Sequence, residues 1–233
     1  MPAIEFSIQR WGVWPPADEL AGNSTLNLDF VPALMRRRLS PLAKAVFSAV
    51  SACVGSGEQI PLLCSSAHGE IQRTAEILND ISAGNGVSPT AFSLSVHNAI
   101  AGQLSIALKN CAPIAALAPT QQGMLPVLLE AVGLLNERAE DVVIALFDEP
   151  LPESLATFAP RIAAAQCVAI RIGRRRENGG FEQILRLSEP PADVGASAMV
   201  SVDDLSQFLS TGGASARLLC VGDSTWEWRR RHG

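Results

Sequence analysis

Apolar and polar residues alternate with period two through Glu5–Val13 and stop at the double proline Pro15–Pro16, a pattern that predicts a strand entering a loop. The pattern then changes to a helical period. In residues 40–53, Leu42, Ala45, Val46, Ala49, Val50 and Cys53 fall on one face, with Ser40 placed to cap it, Pro41 at the first helical position and Gly55 to end it. A short apolar run, "IPLLCSS", predicts a buried strand, and Ile71, Ala75, Leu78 and Ile81 mark a second helical face closed by "AGNG". A third helix is expected over "HNAIAGQLSIALKN", then the small-residue strand "APIAALA". The next helix, "GMLPVLLEAVGLLNER", is apolar enough to be buried nearly all round and starts near Gly123, so that Pro126 falls in its first turn.

"DVVIALFDE" and "QCVAIRIG" read as strands, and "QCVAIRIG" with the alternating "FEQILRL" reads as an antiparallel hairpin turned by "RRRENGG". A loop at "PPADVGAS", a short helix at "VDDLSQFLSTGG" and a last strand at "ARLLCVGD" complete the order. Strands alternating with helices predict an α/β fold with a mostly parallel central sheet, helices on both faces and that one hairpin. No repeat or linker divides residues 1–233, which are read as one domain.

Composition narrows the function. Among 233 residues, 18 basic against 23 acidic give a net charge of −5, so nucleic acid is not expected as a partner. No leader pattern opens "MPAIEFSIQRW" and no stretch is apolar for long enough to span a bilayer, so membrane insertion is not expected and a cytoplasmic site is. Cys53, Cys64, Cys111, Cys167 and Cys220 are odd in number and form no CxxC pair, the pattern of free thiols in a reducing compartment.

The candidate chemistry is sparse. His68, His97 and His232 are far apart and no cysteine pair accompanies them, so no metal site is expected and no cofactor motif is present. "LCSSAHGE" lacks the first glycine of a serine-hydrolase elbow, and Ser66 reads as a helix cap. In "SLSVHNA", Ser95, His97 and Asn98 stand at a helix start. They could orient a substrate, but the preferred reading is that they satisfy backbone groups at a buried helix end. Three arginine triplets, 36–38, 174–176 and 229–231, read as solvated turns. The last follows "WEW" and reads equally well as a docking surface.

In order, "IEFSIQRWGVWPP", "SPLAKAVFSAVSACV", "SSAHGEIQRTAEIL" and "PTAFSLSVHNAIAGQLSIALKNCAPIAALAP" resemble the amino-terminal half of a β-ketoacyl synthase. More narrowly, they resemble the small chain-length-factor-like proteins of aryl polyene synthesis. The resemblance implies a thiolase-like half-fold. It also places Gln121, between Thr120 and Gln122, where an active ketosynthase has its cysteine nucleophile, and an amide cannot form a thioester. The family's two catalytic histidines come from a carboxy-terminal half that this sequence does not match. The resemblance therefore implies a non-catalytic subunit that pairs with a full-length ketosynthase and bounds its acyl tunnel, with an acyl carrier protein as a further partner. The pairing strand would be Ala112, Pro113, Ile114, Ala115, Ala116, Leu117 and Ala118. Two alternatives stay open: a malonyl-carrier-protein decarboxylase using Gln121, and a homodimeric binding or scaffold protein.

Overall fold

A computed structural model describes residues 4–15, 26–55, 57–119, 123–158, 162–175, 180–187, 198–199, 201–212, 215–221 and 224–231. In chain order the elements are β1 (Ile4–Trp14), α1 (Ala33–Arg36), α2 (Pro41–Ser51), β2 (Leu62–Ser65), α3 (Ile71–Ser82), α4 (Pro89–Ser93), α5 (Ala99–Leu108), β3 (Ile114–Leu117) and α6 (Leu125–Glu137). There follow β4 (Asp141–Asp148), a 3-10 turn (Glu153–Leu155), β5 (Gln166–Gly173), β6 (Phe181–Leu187), β7 (Ala198–Met199), α7 (Val202–Thr211), β8 (Ser215–Val221) and β9 (Ser224–Arg231). The strands form one nine-stranded sheet in the order β3-β2-β4-β5-β1-β6-β9-β8-β7.

The fold is α/β, with helices on both faces. Helices α2 and α5 build one apolar layer with Val143, Ala145, Phe147, Cys167 and Ala169. On the other face α6 and α7 build a second with Val142, Ile144, Ile170 and Ile172. Alternation along β4 and β5 supplies both layers, so each strand is apolar at nearly every position, as a strand covered on two faces must be. Helix α2 begins as its sequence dictates: Ser40 accepts the backbone N–H of Ala43 at 2.9 Å and Pro41 occupies the first turn. Strand β1 lies close against α2 because Gly12 has no side chain. A Cβ there would come within 2.3 Å of the Ala49 carbonyl oxygen.

The parallel core is β3-β2-β4, whose strands are separated by helical crossovers. Strands β4 and β5 are joined by residues 149–165, which include the 3-10 turn, and pair antiparallel. Apart from β7-β8, the ladders beyond β4 are antiparallel.

The expected hairpin of β5 with β6 does not form. Strand β1 lies between them, antiparallel to both. The antiparallel hairpin is instead β8-β9, and β9 is built from the "WEWRRR" segment that follows the last strand expected from the sequence. There Trp228 is fully buried, edge-on to Phe6 and Phe208, and its indole N–H donates to the buried Glu182 carboxylate. Arg230 also donates to Glu182, at 2.9 Å, and lies over the Phe208 ring, while Arg229 pairs with Glu227. The third triplet is therefore no solvated turn but part of a paired strand, with Arg230 turned to Glu182 and Phe208.

Two apolar faces are less covered than expected. Helix α3 packs chiefly on the short α4, not on the sheet, so Ile77 is buried while Leu78 and Ile81 are 54% and 55% exposed. Helix α6 leaves Leu129 and Gly133 exposed, so it is buried along one side only.

Candidate functional site

Parallel strands deliver their carboxyl ends to one side of the sheet. Register sets Ser65 of β2 level with Leu117 of β3 and Leu146 of β4, so the segments that follow all emerge together. Crevices outside such strand ends are the usual ligand sites of α/β sheets. Here a cavity of about 200 Å³ opens among Ser65, His68, Pro119, Gly123, Asp148 and Glu149. Thr120, Gln121 and Gln122 lie outside the described residues, but Pro119 and Gly123, which flank them, both line this cavity. Helix α6 opens there without a side-chain cap, Met124 being its first flanking residue and Pro126 lying in its first turn.

Ser95, His97 and Asn98 are not on that wall. His97 donates from Nε2 to the Ser66 carbonyl oxygen at 2.8 Å, and its ring sits beside Gly69, whose φ of +58° has no side chain to clash with it. Ser95 donates to the carbonyl of Phe92 at 2.9 Å, and Asn98 begins α5 without a side-chain capping bond. His97 satisfies a backbone group as preferred from sequence, though on the segment after β2 and not at its own helix end. Ser66 is no helix N-cap, since Glu70 holds that position. It accepts from Gly69 N–H at 2.7 Å and donates to Asp148 Oδ1 at 2.9 Å, which fastens the turn after β2 to the end of β4.

The acids at this end escape a search for nucleophiles. Burial pushes the Asp148 carboxyl up, against the bonds from Ser66 Oγ and Ala67 N–H that favour its ionised form. Burial likewise raises Glu70, which accepts from Ser40 at 2.7 Å and Arg73 at 3.0 Å. Glu149 is pushed up to about 7, chiefly by burial, with Glu70 and Asp148 adding repulsion and Arg73 and the Gln72 N–H opposing. The one signal in sequence is a charged pair, "DE", closing the apolar strand "VVIALF".

No described thiol is placed to act as a nucleophile. Cys53 and Cys64 are buried and pushed up to about 12, and burial raises the Cys167 thiol well above its ordinary value. A thiol in such surroundings stays protonated and inert. Cys111 is exposed but lies before β3, at the end of that strand away from the cavity. These four cysteines are free; the Cys220 side chain lies outside the described residues.

Strand β3 is the end strand of the sheet, with β2 on one side only. Leu62 N–H donates to Pro113 O at 3.0 Å and Ser66 N–H to Leu117 O at 3.3 Å. Peptide groups alternate along a strand, so Ile114 and Ala116 turn their N–H and C=O to the other, open side. Their side chains pack on the α2–α5 layer and those of Ala115 and Leu117 on the α6 layer. All four are half-buried, Ala112 is half-buried, and Pro113 and Ala118 are exposed. Nearby α5, which packs on β3, leaves Ile106 67% exposed.

This architecture has known counterparts. A family model described as beta-ketoacyl synthase, N-terminal domain, matches residues 11–229, and the chain belongs to that family. Among solved structures it is similar to a ketosynthase in complex with its chain length factor from Xenorhabdus doucetiae, at 18% identity and a TM-score of 0.74, over 97% of this chain and 99% of that one. It is also similar to the ishigamide ketosynthase/chain length factor, at 11% identity and a TM-score of 0.60, over 82% of this chain and 69% of that one. A beta-ketoacyl synthase from Burkholderia phymatum aligns at 10% identity with a TM-score of 0.54, over 78% of this chain and 57% of that one. The fold is thus thiolase-like. No protein of curated function matches. Among the described residues no helix is long and apolar enough to cross a membrane, and no group of three or more metal-ligating side chains comes together.

Proposed function

We propose that this chain is a single ketosynthase-like amino-terminal domain acting as a non-catalytic, chain-length-factor-like subunit. It pairs in the cytoplasm with a full-length ketosynthase that is served by an acyl carrier protein, and it bounds the partner's acyl tunnel. The observation that carries this reading is the open edge of β3. Ile114, Ala115, Ala116 and Leu117 carry no charge and no proline, and among the described residues no helix end or loop supplies partners for the outward groups of Ile114 and Ala116. Monomeric proteins blunt such edges with short strands, charge, proline or a covering element; β3 is only four residues long and follows Pro113, but it has no charge, and among the described residues nothing covers it. In sequence the strand runs on to Thr120, Gln121 and Gln122, and on this reading glutamine stands in the family's nucleophile position. A strand added across this edge would bring the partner's acyl chain toward the end of β3. The alignment with a chain of the Xenorhabdus doucetiae complex, over 97% of this chain and 99% of that one, supports a place in such a pair.

The test is co-expression with a full-length ketosynthase from the same organism, followed by size-exclusion chromatography and analysis of product length. A complex whose products change length when this chain is altered supports the reading. The chain alone, given malonyl- and acyl-carrier protein, should yield no condensation and no decarboxylation, and Gln121→Cys alone should add none. Turnover that vanishes in Gln121→Ala would instead assign decarboxylation. A homodimer indifferent to the ketosynthase would assign a scaffold.

A further inference from the structure

Strand β3 is too short to hold a partner alone. Its four residues give about 13 Å of strand, whereas a specific protein–protein interface takes roughly 20–30 residues a side. The surface beside it is α5, which packs on β3, β2 and α2 through its buried side. On the other side Gly102 and Ile106 stand one turn apart, and both are exposed, Ile106 by 67%. No residue from Ala99 to Leu108 carries a charge, although a helix face left to water is ordinarily charged. Ser105 returns its hydroxyl to the Gly102 carbonyl at 2.8 Å, so covering this face leaves that group satisfied. Gly102 is the sharper sign. In mid-helix a glycine is less stable than alanine and offers close approach in return. Gly12 gives that room to the Ala49 carbonyl, but a Cβ on Gly102 would meet no neighbour within 4 Å among the described residues.

We infer that the exposed face of α5 at Gly102 and Ile106 is a second part of the surface that docks the ketosynthase: a helix of the partner crosses α5 closely at Gly102 and covers Ile106. This surface presupposes the β3 pairing proposed above. Helix α2 covers β4, β5 and β1, so α5, over β3 and β2, is the element of its layer next to the open edge. Helices cover a sheet as a layer, and a strand added to β3 therefore brings its own covering helix level with α5. Packed helices stand about 8–10 Å apart, and glycine at the crossing allows the near end of that range. The partner's helix must be apolar and uncharged where it meets Gly102 and Ile106, because an ionised group covered there would find no opposite charge on α5. The outward groups of Ile114 and Ala116 fix the register of the pair, and α5 supplies apolar area that a four-residue strand lacks.

The test is the affinity of the purified full chain for a full-length ketosynthase from the same organism, by biolayer interferometry, beside the melting temperature of each chain alone. Gly102→Gln adds a side chain that strikes nothing in the free chain and is the better helix former, so the melting temperature should hold or rise. Its affinity for the ketosynthase should nevertheless fall about tenfold, because the added side chain blocks the close crossing. Ile106→Gln, at a site already 67% exposed, should leave the melting temperature nearly unchanged and weaken binding about tenfold as well. Ala116→Pro reads the strand alone and separates the two surfaces. If Ala116→Pro abolishes binding while Gly102→Gln and Ile106→Gln bind as the wild type does, the β3 pairing stands and docking through α5 is overturned. A lower melting temperature in Gly102→Gln would show that the chain itself needs the glycine, and overturns it too. A wild-type chain with no affinity for the ketosynthase overturns the β3 pairing and the α5 surface together.

Discussion

His97 gives its Nε2–H to the main-chain oxygen of Ser66, 2.8 Å away, so the histidine that looks most catalytic in the sequence is a brace between the start of α5 and the turn after β2. Gly69 makes room for the ring, since a Cβ there would sit 3.3 Å from His97 Cδ2 and 3.4 Å from His97 Cα. His97→Ala should cost about 1 kcal/mol, the net worth of one such bond, and lower the melting temperature by a few degrees. Product length with the ketosynthase should not move. A changed product at unchanged melting temperature would return His97 to the functional site.

The buried acids give stability a definite pH dependence. Glu149 titrates near 7 in the folded chain against 4.5 as its ordinary value, so between those values the folded state holds a proton that the unfolded state has lost. Its contribution is complete below about pH 4.5 and is lost as pH rises through 7. Asp148 and Glu70, also raised by burial, act in the same direction. Denaturant unfolding should find the loss from Glu149 to be on the order of 2 kcal/mol between pH 5 and pH 8. Glu149→Gln should flatten this slope and be the more stable protein at pH 8. A slope identical in the variant would place the proton elsewhere.

Strand β9 holds the far half of the sheet. It stands between β6 and β8, and Trp228 closes the layer formed with Phe6 and Phe208. Trp228→Ala should cost about 3–5 kcal/mol, and a chain ending before Ser224 should fail to accumulate in soluble form. Circular dichroism and equilibrium unfolding check both. A truncated chain with native helicity and cooperativity would show that β9 is dispensable.

How much of this was readable in the sequence depends on how far each signal reaches. Ser40, Pro41 and the apolar face of α2 are local, and the helix stands where they put it. The buried run of β2 and the edge strand β3 were legible for the same reason. Strand β1 was legible as a strand but not in its place, because its insertion between β5 and β6 is a pairing across more than 150 residues. In β9 the period of two was present, with Trp226, Trp228 and Arg230 on one face. The arginines hid it, since Arg230 belongs inside only because Glu182 on β6 and Phe208 on α7 receive it. Asp148 and Glu149 were missed because their surroundings are made by α3 and the turn after β2, which come together only in the fold.

The claim that matters most is the pairing of β3. Its most direct measurement is hydrogen exchange on the backbone of Ile114 and Ala116, with and without the ketosynthase, read at single-residue resolution. In the free chain these two amides face the open edge and should exchange quickly, while Ala115 and Leu117, turned toward β2, are already protected. Binding should slow Ile114 and Ala116 at least a hundredfold and leave Ala115 and Leu117 little changed. Ala116→Pro, which removes one outward donor and spares the β2 ladder, should fold and elute apart from the ketosynthase. Fast exchange at Ile114 and Ala116 within a stable complex, or an Ala116→Pro chain that still co-elutes, would contradict pairing through this edge.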